Sequence, residues 1–237
     1  MIKFTSIKKE LVRDLVGIND PEILSVCRYL QKLNKNDNYG NYCFLLANQG
    51  SAEAQYVISK ILQWGLMCDP NNEKSLIWCK KSVKKDFAPA FFLLGTYCFE
   101  SDNCKAIELY LKAAKNDFVP ALNMLGFCYS YGYSLKKNIL KGIEYYERSI
   151  MLGSSEAMYN LSQLYLRESE CLNIDKGMKL LKDSADRNFP DAHFILGNMY
   201  WNGDNGLQKN ENLYKKHNEI MITIQNIIIT NCLDGLV

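Results

Sequence analysis

The stretch that decides the fold runs from Asp117-Phe-Val-Pro-Ala121 to Gly153-Ser-Ser-Glu-Ala157. Three more motifs of the same kind are Gly50-Ser-Ala-Glu-Ala54, Asp86-Phe-Ala-Pro-Ala90 and Asn188-Phe-Pro-Asp-Ala192. The final alanines of the five motifs follow one another at intervals of 36, 31, 36 and 35 residues. Such a period is typical of a solenoid, in which repeats stack because none of them can bury its apolar face alone.

Each motif predicts a tight corner between two helices. The residue four positions before the alanine is Gly, Asp or Asn, and these residues best tolerate the left-handed backbone that ends a helix. Proline fits the first turn of the following helix, and Ser or Asp can cap it. The chain is therefore expected to pass from one helix directly into the next at all five places.

The residues after each alanine predict a pair of helices. Positions 1, 5 and 9 of a repeat, such as Ala121, Leu125 and Tyr129, lie on one face of the first helix. Position 6 is small, which lets the paired helix approach closely: Gly95, Gly126, Ser162 and Gly197. Second helices are expected over 74–83, 105–114, 141–150 and 176–185, with small residues two turns apart. The sequence predicts an all-α protein.

Composition agrees with a packed globular chain. The 237 residues are 48% hydrophobic and 23% charged, and 28 Lys+Arg against 26 Asp+Glu give a net charge of +2. This balance excludes a disordered chain and gives no reason to expect a nucleic-acid partner. With 5 Pro and 14 Gly and no linker-like stretch, the chain is expected to form one continuous array.

Few residues are available for catalysis or metal binding. The nine cysteines form no C-x-x-C pair, the histidines are only His193 and His217, and no phosphate-binding loop or H-E-x-x-H motif occurs. We therefore predict no catalytic residue, no metal site and no cofactor. The cysteines are expected to be buried, reduced thiols, and no stretch is long and apolar enough for a signal peptide or membrane span. These features favour a cytoplasmic location.

Within this pattern the third repeat resembles the Sel-1-like repeat, a longer relative of the tetratricopeptide repeat. The matching positions are Ala121, Leu125, Gly126, Tyr129, Gly132, Leu135, Asn138, Lys141, Gly142, Tyr145, Tyr146, Arg148, Ser149 and Gly153. The resemblance covers roughly residues 20–210 and implies a right-handed superhelical α/α solenoid that acts as an adaptor in protein complexes. Some cysteine-rich relatives resemble β-lactam-hydrolysing proteins, but the paired cysteines of those proteins are replaced here, for example by Ala113 and Ala121.

The resemblance divides the chain into eight segments. A helix or cap is expected over 1–19, a degenerate repeat over 20–53, and a partial fifth repeat, whose second helix is unrecognisable, over 192–218. The four full repeats are 54–89, 90–120, 121–156 and 157–191, the second with a short loop. Residues 219–237, rich in isoleucine, are expected to cap the last repeat; the alternative is that they dock a second copy of the chain or a partner.

A candidate binding stripe follows from helix geometry. Positions 4, 7 and 11 of the first helices project away from the packed face, and position 10 flanks them. The partner-binding candidates are Lys60, Trp64, Phe99, Phe127, Tyr131, Gln163, Arg167, Asn198 and Trp201. Aromatic residues and arginine are typical of binding hot spots. The alternative interpretation is that these side chains pack one repeat against the next.

The sequence favours one function and leaves two others open. The preferred hypothesis is a non-enzymatic adaptor that binds a peptide or helix of another protein along the concave face of the solenoid. The alternatives are a hydrolase of the cysteine-rich, β-lactamase-like type and a self-associating structural protein. Abundant Asn, Lys and Ile indicate an AT-rich genome. If the source is an intracellular parasite or a large virus, the partner belongs to a host cytoplasm.

Overall fold

The computed structural model describes residues 22–33 and 39–233, which form twelve α-helices and no strand. In chain order they are α1 (Ile23–Leu33), α2 (Tyr39–Asn48), α3 (Ala52–Trp64), α4 (Asn72–Val83), α5 (Ala88–Cys98), α6 (Asn103–Lys115), α7 (Val119–Tyr131), α8 (Ile139–Met151), α9 (Ser155–Arg167), α10 (Ile174–Asp186), α11 (Pro190–Asn202) and α12 (Glu211–Leu233). The all-α prediction is confirmed. The segment 1–19, for which a helix or cap was predicted, lies outside the described residues.

The five predicted corners are confirmed in backbone geometry. Asp86 and Asp117 each have φ of 55°, and Asn188 has φ of 59°, while the glycines at the other two corners also lie in the left-handed region. Ser51 and Ser154 cap α3 and α9 by accepting a backbone N–H. A proline occupies the first turn of α5, α7 and α11. The left-handed residue reverses the chain, and the cap or proline starts the next helix at once.

Small residues let the helices of one repeat pack closely. The five corner alanines are fully buried: Ala54, Ala90, Ala121, Ala157 and Ala192. A Cβ atom added to Gly126 would lie 2.6 Å from the buried ring of Tyr146, and one added to Gly142 would lie 2.0 Å from Ser130 Oγ. The predicted close approach at the small positions is therefore present, because a larger side chain there would push the two helices apart.

Side-chain caps define where each second helix starts. Asn71, Asp102, Asn138 and Asn173 each accept the backbone N–H of the residue three positions later. Asn210 makes the same bond to Leu213 over 3.0 Å. Helix α12 is therefore the second helix of the fifth repeat, which sequence analysis left unassigned. It runs on to Leu233, so the predicted boundary between residues 218 and 219 falls inside one helix.

The described residues fall into two compact units. The first unit comprises residues 22–33, 39–116 and 227–233, and the second comprises residues 117–226. The boundary between the two units, after residue 116, lies at the corner between α6 and α7 and not in a linker. In the first unit, Cys232 near the end of α12 lies beside Cys27 of α1. In the second unit, the start of α12 packs on α11 at Gly197.

Candidate functional site

The nine predicted binding residues lie on or just after the first helices of the repeats. Lys60, Trp64 and Phe99 belong to the first unit. The other six belong to the second unit, where they occupy α7, α9 and α11. The two groups differ in what their side chains contact.

In the first unit the predicted side chains contact other residues of the protein. Lys60 is 3% exposed and forms an ion pair with Glu22, which also accepts a hydrogen bond from the Tyr56 hydroxyl. The Lys60 ammonium lies 4.2 Å from the centre of the Trp64 ring, and Trp64 is half-buried. Phe99 is half-buried, with its ring centre 6.1 Å from that of Tyr110. The ammonium of Lys60 is thus engaged within the protein.

In the second unit, three aromatic side chains form an exposed group at the end of α7. Phe127 and Tyr131 are each 41% exposed and Tyr133 is 49% exposed. The ring centre of Phe127 lies 5.1 Å from that of Tyr131 and 6.1 Å from that of Tyr133. We call these three residues the aromatic cluster. Tyr133 was missed because it follows the helix, where helical spacing makes no prediction.

A polar cavity of about 410 Å³ lies between α9, α11 and the loop after α11. Its lining residues are Leu166, Arg167, Ile195, Asn198, Met199, Asn202, Asp204 and Asn205. The structure therefore brings together two predicted residues, Arg167 and Asn198. Asp204 and Asn205 were missed by sequence reasoning, although Gly203 marks the start of their loop. Asn202 donates a hydrogen bond to Asp204 over 3.1 Å.

The two remaining predictions in this unit lie apart from the cavity lining. Gln163 of α9 is buried, and its side-chain nitrogen meets no hydrogen-bond acceptor among the described residues. Trp201 is more than half exposed, and its ring centre lies 5.1 Å from that of Tyr214 in α12. Trp201 thus lies on the side of α11 that faces α12.

The carboxylates of Glu168 and Glu170, near the aromatic cluster, form ion pairs with Lys137 and not with Arg167. Lys137 Nζ lies 3.0 Å from a Glu168 carboxylate oxygen and 2.7 Å from one of Glu170, and these contacts raise the pKa of Lys137 to about 12. The pKa of Tyr131 is raised by burial and by Glu168, against an opposing effect of Arg167. Within residues 22–33 and 39–233, no carboxylate forms an ion pair with Arg167.

A buried polar network holds α7 and α9 in register. Ser149 donates to Asn123 over 2.5 Å, and Asn123 donates to Glu156 over 2.9 Å. The network joins three helices from two neighbouring repeats, and the partly buried carboxylate of Glu156 accepts its hydrogen bond within the protein. Burial raises the pKa of Glu156, and the hydrogen bond from Asn123 opposes that rise. This register fixes the aromatic cluster beside the end of α9.

The described residues contain no set of three or more His, Cys, Asp or Glu side chains placed to hold a metal ion. Burial raises the pKa of the Cys43 and Cys79 thiols to about 12 and that of Cys128 to about 11. Such thiols stay protonated at neutral pH and are poor nucleophiles. None of the described helices combines the length and apolar character needed to cross a membrane.

The repeats of this chain match a known family of repeats. The model of the Sel1 repeat matches residues 52–87, 90–118, 119–154, 155–189 and 190–213. An uncharacterized protein of Neisseria meningitidis serogroup B is 28% identical over 177 residues, which are 73% of this chain. The chain spans only 36% of the length of that protein.

Two solved structures are similar in fold. A Sel1 repeat protein from Oxalobacter formigenes has a TM-score of 0.71 at 23% identity, over 78% of this chain and 76% of its own. An immunity protein from Pseudomonas aeruginosa has a TM-score of 0.64 at 19% identity, over 86% and 83%. Because family matches cover more than half of its length, the chain belongs to the Sel1 repeat family, whose members are generally non-catalytic scaffolds for protein interactions.

Proposed function

We propose that this chain is a non-enzymatic scaffold that binds an extended segment or a helix of a partner protein along the concave face of the solenoid. The proposed binding surface comprises residues of the first helices of the second unit and of the loop after α7. We call it the interaction surface, and it consists of Phe127, Tyr131, Tyr133, Arg167, Asn198 and Asn202.

The observation that carries the proposal is the exposed aromatic cluster next to Arg167, which forms no ion pair with the part of the chain that the structure describes. Aromatic side chains and arginine contribute most of the binding energy in many protein interfaces. The aromatic cluster offers apolar contact, while Arg167 can bind a carboxylate or carbonyl oxygen of the partner. The amides of Asn198 and Asn202, in the adjoining cavity, can donate to and accept from a peptide backbone.

The proposed surface leaves out five of the predicted residues. Lys60 and Gln163 are buried, and Trp64 and Phe99 are half-buried against neighbouring side chains. Since hot-spot residues gain energy by losing water on binding, these four side chains have less to contribute. Trp201 is exposed, but it lies on the side of α11 that faces α12, apart from the cavity lining.

The experiment captures partners with the native chain and with a Tyr131→Ala, Arg167→Ala variant, and then measures their affinities. If the surface binds the partner, the variant should lose at least about 2 kcal/mol, or about 30-fold in Kd. The matched control is a Leu140→Ala, Met151→Ala variant, which removes two exposed side chains from α8 of the same unit. Equal affinity of the native chain and the Tyr131, Arg167 variant would refute the assignment.

A further inference from the structure

A titratable residue occupies a core position in the last repeat. His193 is the second residue of its repeat and only 6% exposed. The corresponding residues of the four preceding repeats are also buried: Gln55, Phe91, Leu122 and Met158. None of those four can take up a proton near neutral pH. The fifth repeat therefore differs chemically at a position that packs in the same way.

The second histidine replaces an aromatic residue that does not titrate near neutral pH. Counted from the capping residues Asn138 and Asn210, His217 of α12 corresponds to Tyr145 of α8. Tyr145 stacks on Tyr129 with ring centres 5.6 Å apart and planes 11° apart. His217 stacks in the same way on Tyr200, at 5.7 Å and 16°. The imidazole thus fills the place of a neutral aromatic ring.

The two imidazoles meet where α12 packs on α11. Their Nδ1 atoms lie 2.9 Å apart, which is a hydrogen-bond distance, so one proton lies between them when both rings are neutral. A first added proton would place a charge in this half-buried contact. A second would leave two N–H groups facing each other, because a fully protonated imidazole has no acceptor nitrogen.

Only some of the groups near His193 and His217 stabilise the protonated form of these side chains. Burial is the largest effect on His193 and lowers its pKa, while the Ala185 carbonyl and the Asp186 carboxylate of α10 oppose it. The pKa of His217 is lowered by burial first, and then by His193 and by Lys216 on its own helix. Tyr200 contributes a neutral ring. Both pKa values are therefore shifted in the direction that favours the neutral rings at pH 7.

We propose that His193 and His217 form a pH-sensitive latch that holds residues 211–226 of α12 against α11 and releases them when the pair takes up protons. Both histidines titrate in the closed state below the ordinary value of 6.5. The latch therefore contributes its full stability above that pH and loses it as the pH falls towards the lowered pKa values.

The size of the effect follows from proton linkage. At pH 5.0, a histidine that is protonated in the open state and neutral in the closed state raises the opening constant by up to about 30-fold relative to pH 7.5. Any protonation of the closed state reduces this factor. With two coupled histidines we expect the opening constant to rise by at least about tenfold.

The experiment measures amide hydrogen exchange of residues 211–226 at pH 7.5 and 5.0, corrected for the intrinsic pH dependence of exchange. The control is the His193→Met, His217→Tyr variant, which copies Met158 and Tyr145 of earlier repeats. We expect the opening constant to rise at least about tenfold in the native chain and less than about threefold in the variant. Equal rises in the two chains, or no rise in the native chain, would overturn the proposal.

Two further measurements keep the test decisive if the double variant does not fold. The single variant His193→Gln copies Gln55, a buried amide at the same repeat position, and should show a smaller rise in the opening constant than the native chain, because only His217 remains to take up a proton. Nuclear magnetic resonance titration of the native histidine rings should give both pKa values below 6.5. Ring signals that titrate at or above 6.5 would overturn the latch.

Discussion

The same substitution, Gly to Ala at position 6 of a repeat, should have opposite effects in two repeats of the second unit. Alanine inside a helix is favoured over glycine by about 1 kcal/mol. At Gly197 the new Cβ would lie 3.5 Å from atoms of α12, which is ordinary contact, so Gly197→Ala should stabilise the protein by about 0.5–1 kcal/mol.

At Gly126 the added Cβ would lie 2.6 Å from the ring of Tyr146, a side chain with almost no exposed area to move into. Overpacking of this kind costs about 1–3 kcal/mol. The helix-propensity gain is common to both variants, so their free energies of unfolding should differ by the overpacking cost alone, about 1–3 kcal/mol. Gly126→Ala is expected to be the less stable of the two.

Urea unfolding followed by circular dichroism measures the difference between the two variants. The background Tyr146→Leu copies Leu181, the corresponding residue of the fourth repeat, where Ser162 occupies position 6. In that background Gly126→Ala should no longer be destabilising, because the clashing ring is gone. If Gly126→Ala stabilises the native chain as much as Gly197→Ala does, or if its cost persists in the Tyr146→Leu background, the packing argument is wrong.

Three further changes test other contacts by the same unfolding measurement. Lys60→Met should cost about 3–5 kcal/mol because it leaves the Glu22 carboxylate buried without its cation, and adding Glu22→Leu should restore most of that loss; no recovery in the double variant would contradict this. Asn138→Ala should cost about 1 kcal/mol through loss of the α8 cap, and an unchanged midpoint would show that the cap adds nothing. Arg148→Ala should cost less than about 1 kcal/mol because its ion pair with Asp117 is exposed, so a larger loss would mean that Arg148 also stabilises the corner by packing.

Local patterns predicted the fold because the corner of each repeat is formed by a few adjacent residues. Asp117 adopts the left-handed backbone that its residue type tolerates, and Pro120 lies in the first turn of α7. The second helix of the fifth repeat was missed because Leu213 and Tyr214 replace the lysine and small residue that mark the earlier second helices. Asn210, at the position of the earlier caps, was the signal that could have revealed it.

The candidate site was less predictable, because helical spacing gives the direction of a side chain but not its partners. Lys60 and Arg167 both lie on the predicted stripe. Lys60 is buried and forms an ion pair with Glu22, which lies 38 positions away in the sequence, whereas Arg167 lines an open cavity. Whether a cation is paired depends on which distant carboxylate the fold brings within reach.

The amino-acid sequence by itself determined the helix pairs, their corners and the buried face of each helix, since these depend on residues within about two turns of one another. Only the tertiary structure decided which stripe residues stay exposed, how the polar cavity forms beside Arg167, and that His193 meets His217. Each of these features joins residues from different helices, and their separation is set by packing between helices rather than by spacing along the chain.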